Sequence, residues 1–430
     1  MNNDLIVVCP HYIGVLKYYD KLYLPLLKEN IEIIYLFRIR KNRKLEIIKE
    51  MENYCKTNNR KYYIINQEYT WEPLYRYKIK KEIKEFIKKW NPKLILQPDD
   101  MHFINDIIVK VARKSKIMTM VLQWATSTPE EYTLKQHKDK ELRALRGMTK
   151  SEIIRMNIFT KILKIVNYPF YRILGVYTNH KLSFGQGDSD VVGVINIYSK
   201  NLFIKQGVNG KKIRVLGLLD YDDALKDKNK PISDLINKYN LRKAEVIIVY
   251  FSQPFYKKDF LYFTLEKQLE FLEDLIKFLD KFYTNIGKNY NFFIKLHPIE
   301  KLKDYERFMN KKNIIVIEKG DNNELILLSD YCISFMSTVI LSIILLQKPI
   351  LSLNFFDLED IEIGAKVVGI EKCINSWDEF KLYLKQLENN NYSILNNVNN
   401  DMIINDGKCY YRIINLIKKM VNFSKFKTIS

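Results

Sequence analysis

The sequence predicts an α/β protein of two Rossmann-like halves with a ligand cleft between them, and three observations carry that prediction. Short apolar runs alternate with helix-length segments through both halves, the pattern of parallel sheets covered by helices on each face. At 430 residues the chain exceeds one ordinary core, so two domains are expected. A hydrophobic content of 47% against 28% charged residues is that of a globular chain rather than a disordered one.

The first half opens on the apolar run 5–9, which ends at Pro10-His11. A helix follows near 18–28, then a strand at 31–37, a helix at 41–58 and a short strand at 62–65. Ile79, Ile83, Phe86, Ile87 and Trp90 stand at helical spacing within 75–90, and Asn91-Pro92 stops that helix before a strand at 93–97. A helix at 103–115 leads to a strand at 118–123. A strand at 191–194, a helix at 197–206 and a strand at 213–218 close the half.

Residues 130–182 interrupt that rhythm. The first part, 130–145, is highly charged; 156–176 is apolar and basic, with Ile162, Leu163, Val166, Phe170 and Ile173 interleaved by Lys161, Lys164 and Arg172. Pro169 is expected to divide the stretch in two. This composition suits an amphipathic helix on a membrane surface, and equally a helix packed on its own domain. The polar stretch 220–231 reads as a linker. Beyond it come a helix at 232–239, strand 245–250, helix 263–279, strand 292–296, a helix around 304–309 and strand 314–317. Helix 323–328, strand 331–334, helix 338–346, strand 350–353 and a last helix at 410–422 follow.

The net charge of +20 calls for an anionic partner: a phosphorylated substrate, a polyanionic acceptor or an anionic membrane. No zinc spacing, RNP-type motif or helix-turn-helix pattern points to nucleic acid. Cys9, Cys55, Cys332, Cys373 and Cys409 are scattered and form no C-x-x-C pair, as expected of reduced, buried thiols. The first strand carries no signal-peptide pattern, and no apolar run reaches the ~18 residues of a spanning helix. A cytoplasmic protein, peripheral on the inner face of the cell membrane, is the expectation.

Two segments of the second half can hold chemistry. In Phe292-Phe293-Ile294-Lys295-Leu296-His297-Pro298 a strand delivers a histidine to its carboxyl end, where proline stops it. Strand ends face the ligand crevice of an open parallel sheet, and an imidazole there can donate a hydrogen bond to a phosphate or protonate it as it leaves. In Ser329 to Thr338 a strand ends in a hydroxyl-rich turn that opens an apolar helix. Ser334, Ser337, Thr338 and the helix's first N–H groups offer donors to a phosphate, and the same hydroxyls suit a helix cap.

These residues carry a resemblance. Strand–His-Pro, then strand–Ser-x-x-Ser-Thr–helix–Lys348-Pro349–strand, resembles the donor domain of bacterial and archaeal surface-carbohydrate transferases of the GT-B fold. Polysialyltransferases, capsular Kdo transferases and CDP-glycerol glycerophosphotransferases are the similar families. Gly207, Lys212-Ile213, Gly217 and Tyr221-Asp222 resemble the entry to the second domain, and Asp406-Gly407-Lys408 with Arg412-Ile413 the start of the terminal helix. The resemblance implies that His297, Pro298, Ser334, Ser337, Thr338 and Ser342 line the donor site, with His297 also catalytic. It implies a first, acceptor domain at 1–219 with the basic insertion near 150–180. A nucleotide-donor domain at 220–409 and a terminal helix at 410–430 packing back towards the first domain complete it. The chain departs from the pattern at Ser342, where relatives often carry a ribose-binding glutamate, and at Gln347, where glycine is usual.

An inverting transferase needs a base for the acceptor hydroxyl, and related sialyltransferases keep a catalytic carboxylate in an acidic turn of the first domain. Here Gln97-Pro98-Asp99-Asp100 ends the 93–97 strand. Asp100 is the first candidate and Asp99 the next, and either can instead cap the following helix. Glu130 and Glu131 are reserves, and His11 can line the acceptor side. Asp220-Tyr221-Asp222 superficially offers D-x-D but reads as a solvated acidic turn, and the implied fold needs no metal or other cofactor. The chain has no G-x-x-x-x-G-K-[ST] loop and no G-x-G-x-x-G after the first strand, against ATPase and NAD readings.

The leading expectation is therefore a metal-independent, inverting GT-B glycosyltransferase of capsule-type polysaccharide synthesis. It would move a sialic-acid-like or Kdo-like sugar, or glycerol phosphate, from a CMP- or CDP-activated donor to a surface glycan or lipid-linked acceptor. A UDP-N-acetylglucosamine 2-epimerase or UDP-sugar-using enzyme shares the architecture. The third reading is a non-catalytic glycan- or lipid-binding partner, to which Ser342 gives weight.

Overall fold

The computed structural model describes residues 3–38, 45–65, 71–125, 150–178, 184–239, 246–257, 264–370, 372–389 and 402–429. The chain forms two compact units, Met1–Leu219 with Lys408–Ser430, and Asp220–Gly407. The first holds β1 (Asp4–Val8), β2 (Ile31–Arg38), β3 (Lys61–Ile65), β4 (Leu94–Gln97), β5 (Met118–Leu122), β6 (Val191–Val194) and β7 (Ile213–Val215). They run in the order β3-β2-β1-β4-β5-β6-β7, every pair parallel. The order reverses between β1 and β4, where Val8 lies opposite Leu96. Such a switch point opens a crevice at the strand carboxyl ends. The chain leaves β1 there through Cys9-Pro10-His11, and β4 through Pro98-Asp99-Asp100.

The second unit repeats the plan with β8 (Val246–Phe251), β9 (Tyr290–Lys295), β10 (Ile314–Ile317), β11 (Tyr331–Ser334) and β12 (Ile350–Ser352). The order is β10-β9-β8-β11-β12, again all parallel, and it reverses between β8 and β11. β4 and β9 are buried along their whole length, as strands covered on both faces must be. The covering helices owe their positions to apolar stripes. In Leu265–Asn285, Leu269, Leu272, Leu275, Ile276 and Leu279 are buried at helical spacing, and Thr264 caps the start by accepting the Lys267 N–H. In Glu72–Trp90, Ile79, Ile83, Phe86 and Ile87 join Val7, Ile34, Leu36 and Ile95 in one core. That helix ends where Asn91 turns left-handed at φ 44.

Several expectations are corrected. Pro169 does not divide the amphipathic stretch: one helix runs Lys150–Ile173 with the proline inside it. Its docking holds it together across the lost hydrogen bond, through Trp71 against Phe170 at 4.5 Å and Trp71 Nε1 donating to Asn167 Oδ1 at 2.6 Å. The 220–231 stretch is largely a helix, Leu219–Asp227, because Tyr221, Asp222 and Ala224 are buried in it; the D-x-D is thus no solvated turn. The expected 18–28 helix is two, Ile13–Asp20 and Tyr23–Lys28. Helices Glu359–Val367 and Trp377–Glu388 went unforeseen. The second had a signal, the Ser376-x-x-Glu379 pattern of a helix start: Ser376 Oγ accepts the Glu379 N–H, and the Glu379 carboxylate reaches past the cap to the Asn375 N–H. All five cysteines are buried thiols, none in a disulfide. Among the described residues no helix is long and apolar enough to cross a membrane.

Candidate active site

In the second unit β9 ends at Lys295, whose Nζ donates to the Leu296 and Glu318 carbonyls at 3.0 and 3.1 Å; burial lowers its pKa. The chain then makes a turn over 297–300, closed by the Glu300 N–H on the His297 carbonyl at 2.9 Å. Pro298 is its second residue, where a fixed φ is favourable. His297 is half-buried and Pro298 exposed. The His297 Nδ1 accepts the Ile299 N–H at 3.4 Å, which sets the neutral ring's proton on Nε2.

Glu300 was missed by sequence reasoning. It is buried, and Oε2 accepts the His297 backbone N–H at 2.8 Å. Oε1 accepts from the Tyr305 hydroxyl at 2.6 Å, Gln268 Nε2 at 2.8 Å and Ser252 Oγ at 3.1 Å. Burial, and then the adjacent Glu300 carboxylate, push the Tyr305 hydroxyl well up from its ordinary pKa. The only signal in the sequence was a glutamate three residues after the histidine.

The hydroxyl turn follows β11. Ser334 is fully buried in the strand and its Oγ has no partner, so it does not reach the surface with the others. Ser337 is half-buried and Thr338 exposed. Ser337 Oγ accepts the Val339 N–H at a long 3.4 Å, while Thr338 makes no side-chain cap bond. The hydroxyls therefore separate: Ser337 caps weakly and Thr338 caps nothing. Ser342 sits half-buried in the seven-residue helix Val339–Leu345. Lys348 has a structural task, its Nζ donating to the Ser329 carbonyl at 2.7 Å.

In the first unit Asp99 is half-buried, and its Oδ1 accepts from Met101 N at 3.1 Å and Asn105 Nδ2 at 2.8 Å. It is the residue that organises the start of the next helix. Asp100 is fully buried; Oδ1 accepts the Gly185 N–H at 2.8 Å and Oδ2 has no partner. Burial raises its pKa to about 6, against the opposing pull of the Gly185 N–H and the Lys212 charge. His11 is half-buried against Tyr12 and Trp124, with ring centroids 4.8 and 6.3 Å away. That aromatic group at the ends of β1 and β5 was not foreseen. Burial raises the Tyr12 hydroxyl pKa to about 12. Glu130 and Glu131 lie outside the described residues.

Residues 178–362 match the family described as CDP-Glycerol:Poly(glycerophosphate) glycerophosphotransferase. That stretch contains His297, the hydroxyl turn and Ser342. That match supports a transferase of the glycosyltransferase type. Solved structures of similar fold extend over nearly its whole length. UDP-GlcNAc 2-epimerase from Neisseria meningitidis, bound to UDP-GlcNAc, superposes with a TM-score of 0.55 at 15% identity, covering 97% of this chain and 100% of the other. UDP-GlcNAc 2-epimerase from Methanocaldococcus jannaschii gives 0.54 at 14%, covering 97% and 99%. The wall teichoic acid polymerase TagF, soaked with CDPG, gives 0.51 at 13%, covering 98% and 89%. At these identities the likeness speaks to the fold, the two-domain GT-B type expected from the sequence. No curated protein matches the sequence.

Proposed function

We propose that this transferase moves glycerol phosphate, or a sugar in the same role, from a cytidine-activated donor to a surface glycan or lipid-linked acceptor. The observation that carries the reading is the setting of His297 and the Ser337-Thr338 turn. Both stand at the carboxyl ends of β9 and β11, inside the stretch that matches the glycerophosphotransferase family. In such a transfer the acceptor hydroxyl oxygen attacks the β-phosphorus of CDP-glycerol. The bond from that phosphorus to the bridging oxygen breaks, and CMP departs with the oxygen. His297 Nε2–H and the Ser337 and Thr338 hydroxyls supply donors where negative charge grows on the leaving phosphate. Asp100 takes the acceptor proton in this reading: it stands at the carboxyl end of β4 and its Oδ2 is unpartnered. Asp100 is fully buried, so this reading requires the 185–187 segment to move before an acceptor can reach it.

The reading extends to an anionic membrane surface. The helix Lys150–Ile173 leaves Phe159, Ile162, Leu163, Ile165, Val166, Phe170 and Ile173 exposed, with Ile165 at 72% and Ile173 at 79%. Arg172 is exposed beside them and the chain carries +20 overall. An apolar face with basic company is the composition of an interfacial helix.

A thermal-shift panel with CMP, CDP, UDP, GDP and ADP on wild type and His297→Ala tests the donor. Saturation at ~100 times the dissociation constant stabilises a protein by roughly 2.7 kcal/mol, well within a melt's reach. A cytidine-specific shift that His297→Ala loses is the expected result. A shift with UDP alone supports the epimerase-like or UDP-sugar reading, and no shift with any nucleotide supports a non-catalytic role.

A further inference from the structure

We infer that Glu300 is the positioning residue of His297, and that the end of β8 ties the His297 turn and the hydroxyl turn into one frame. The functional consequence rests on the donor-phosphate reading of His297; the geometry does not. Within its own turn the imidazole accepts the Ile299 N–H on Nδ1 at 3.4 Å, so its aim follows the shape of that turn. The turn in turn is closed twice between the same two residues, by Glu300 N–H to the His297 carbonyl and by His297 N–H to Glu300 Oε2. The other carboxylate oxygen reaches three separate elements. Ser252 follows β8, Gln268 lies on the helix Leu265–Asn285, and Tyr305 ends the short turn Leu302–Tyr305. These three also bond one another, Gln268 Nε2 to the Tyr305 hydroxyl at 2.8 Å and to Ser252 Oγ at 3.2 Å.

Every group around Glu300 is a donor, and a carboxylate accepts on both oxygens. A glutamine of the same shape cannot do so. Its NH₂ either opposes the His297 N–H or faces the cluster, where it opposes the Gln268 NH₂ and forces the Tyr305 and Ser252 hydroxyls to turn from donors to acceptors. The residue after Ser252 extends the frame: Gln253 Oε1 accepts the Met336 N–H at 3.1 Å, inside the hydroxyl turn. Ser252 and Gln253 are both buried. One dipeptide at the β8 end therefore braces the turn carrying His297 on one side, through Glu300, and the turn leading to Ser337 on the other.

The test compares wild type, Glu300→Gln, Tyr305→Phe and His297→Ala by imidazole ¹H–¹⁵N spectra and by CMP and CDP titration. The chain has five histidines, and the His297 signal is the one lost in His297→Ala. Wild type is expected to show the Nε2–H tautomer. Glu300→Gln is expected to mix the tautomers and to lower the His297 titration midpoint, because the turn that aims the ring loosens and a negative charge in that turn is gone. Cytidine nucleotide affinity is expected to weaken about tenfold, the scale of one well-placed hydrogen bond. If Glu300→Gln does not fold, Tyr305→Phe, which removes a single donor, is expected to give the same changes in smaller measure. A folded Glu300→Gln that merely melts lower, with His297 tautomer, midpoint and nucleotide affinity unmoved, overturns the inference. If wild type binds neither nucleotide, the donor reading falls, and the imidazole spectra still decide the positioning claim alone.

Discussion

Gly187 lies so close to Asp100 that a Cβ on it would stand 2.3 Å from Oδ2. Two residues earlier, Gly185 turns left-handed at φ +80 and donates its N–H to the other oxygen. The two glycines are needed for different reasons, one for close approach and one for backbone conformation. Together they let a loop close directly over a carboxylate at the end of β4. The cover removes water and returns one strong donor, and this imbalance raises the pKa to about 6.

That imbalance predicts the behaviour of Asp100→Asn. An unfolded aspartate ionises near pH 4. Between there and about pH 6 the folded Asp100 keeps a proton that the unfolded chain has released, so its contribution to stability falls as pH rises through the window and is level above it. A shift of about two units corresponds to about 3 kcal/mol at neutral pH. Asparagine still accepts the Gly185 N–H and has no charge to bury. Asp100→Asn is expected to melt higher than wild type at pH 7.5, with the gap closing towards pH 4, while transfer falls about a hundredfold or more. Transfer at the wild-type rate would remove Asp100 as proton acceptor. An unchanged melting temperature at pH 7.5 would contradict its burial.

The hydroxyl turn admits a separation of capping from binding. Thr338 is exposed and caps nothing, so Thr338→Ala is expected to leave stability within about 0.5 kcal/mol. Ser337→Ala loses only a 3.4 Å contact, and its cost is expected below the ~1 kcal/mol of a full cap. Both are expected to weaken CDP binding about fivefold to tenfold, by calorimetric titration, as loss of a phosphate hydrogen bond does. Two stable variants with wild-type affinity would show that these hydroxyls do not meet the nucleotide.

How far the sequence carried is visible in which residues it found. Alternation of apolar runs with amphipathic helices located the strands of both sheets, because strands buried on both faces leave a local, continuous signature. The places of His297 and the hydroxyl turn at strand ends were legible for the same reason: each follows its strand directly. Glu300 was not, since its meaning lies in contacts with Ser252 and Gln268, 48 and 32 residues away. The cover over Asp100 was equally illegible, coming from glycines 85 and 87 positions further on. Pro169 misled in the opposite sense, because a tertiary anchor at Trp71 overrides a local breaker.

Gln347 offers a prediction about stability without chemistry. It stands just past the helix Val339–Leu345 with φ +58, in the left-handed region that favours glycine. Its side chain is exposed, and its bond from Lys228 Nζ at 3.2 Å is a surface contact of little weight. Gln347→Gly relieves the strain and gives back part of the gain as unfolded-chain entropy. A net stabilisation of about 0.5–1 kcal/mol is expected, read as a higher urea midpoint at unchanged slope. A lower midpoint would show that the side chain does more than cap.

The face of the helix Lys150–Ile173 yields the last prediction. Ile162, Leu163 and Val166 are exposed, so replacing all three with Asp removes no core packing and is expected to leave melting nearly unchanged. The same substitutions take apolar area from a bilayer contact and set three negative charges against anionic headgroups. Flotation with phosphatidylserine-containing vesicles is expected to show wild type bound, and released as salt rises; the triple variant is expected to bind about tenfold less or worse. Wild type is expected to bind neutral phosphatidylcholine vesicles more weakly, since the basic charge then has no counterpart. If the folded triple variant floats with anionic vesicles as wild type does, this helix is not the membrane contact, and its exposed face must serve another surface.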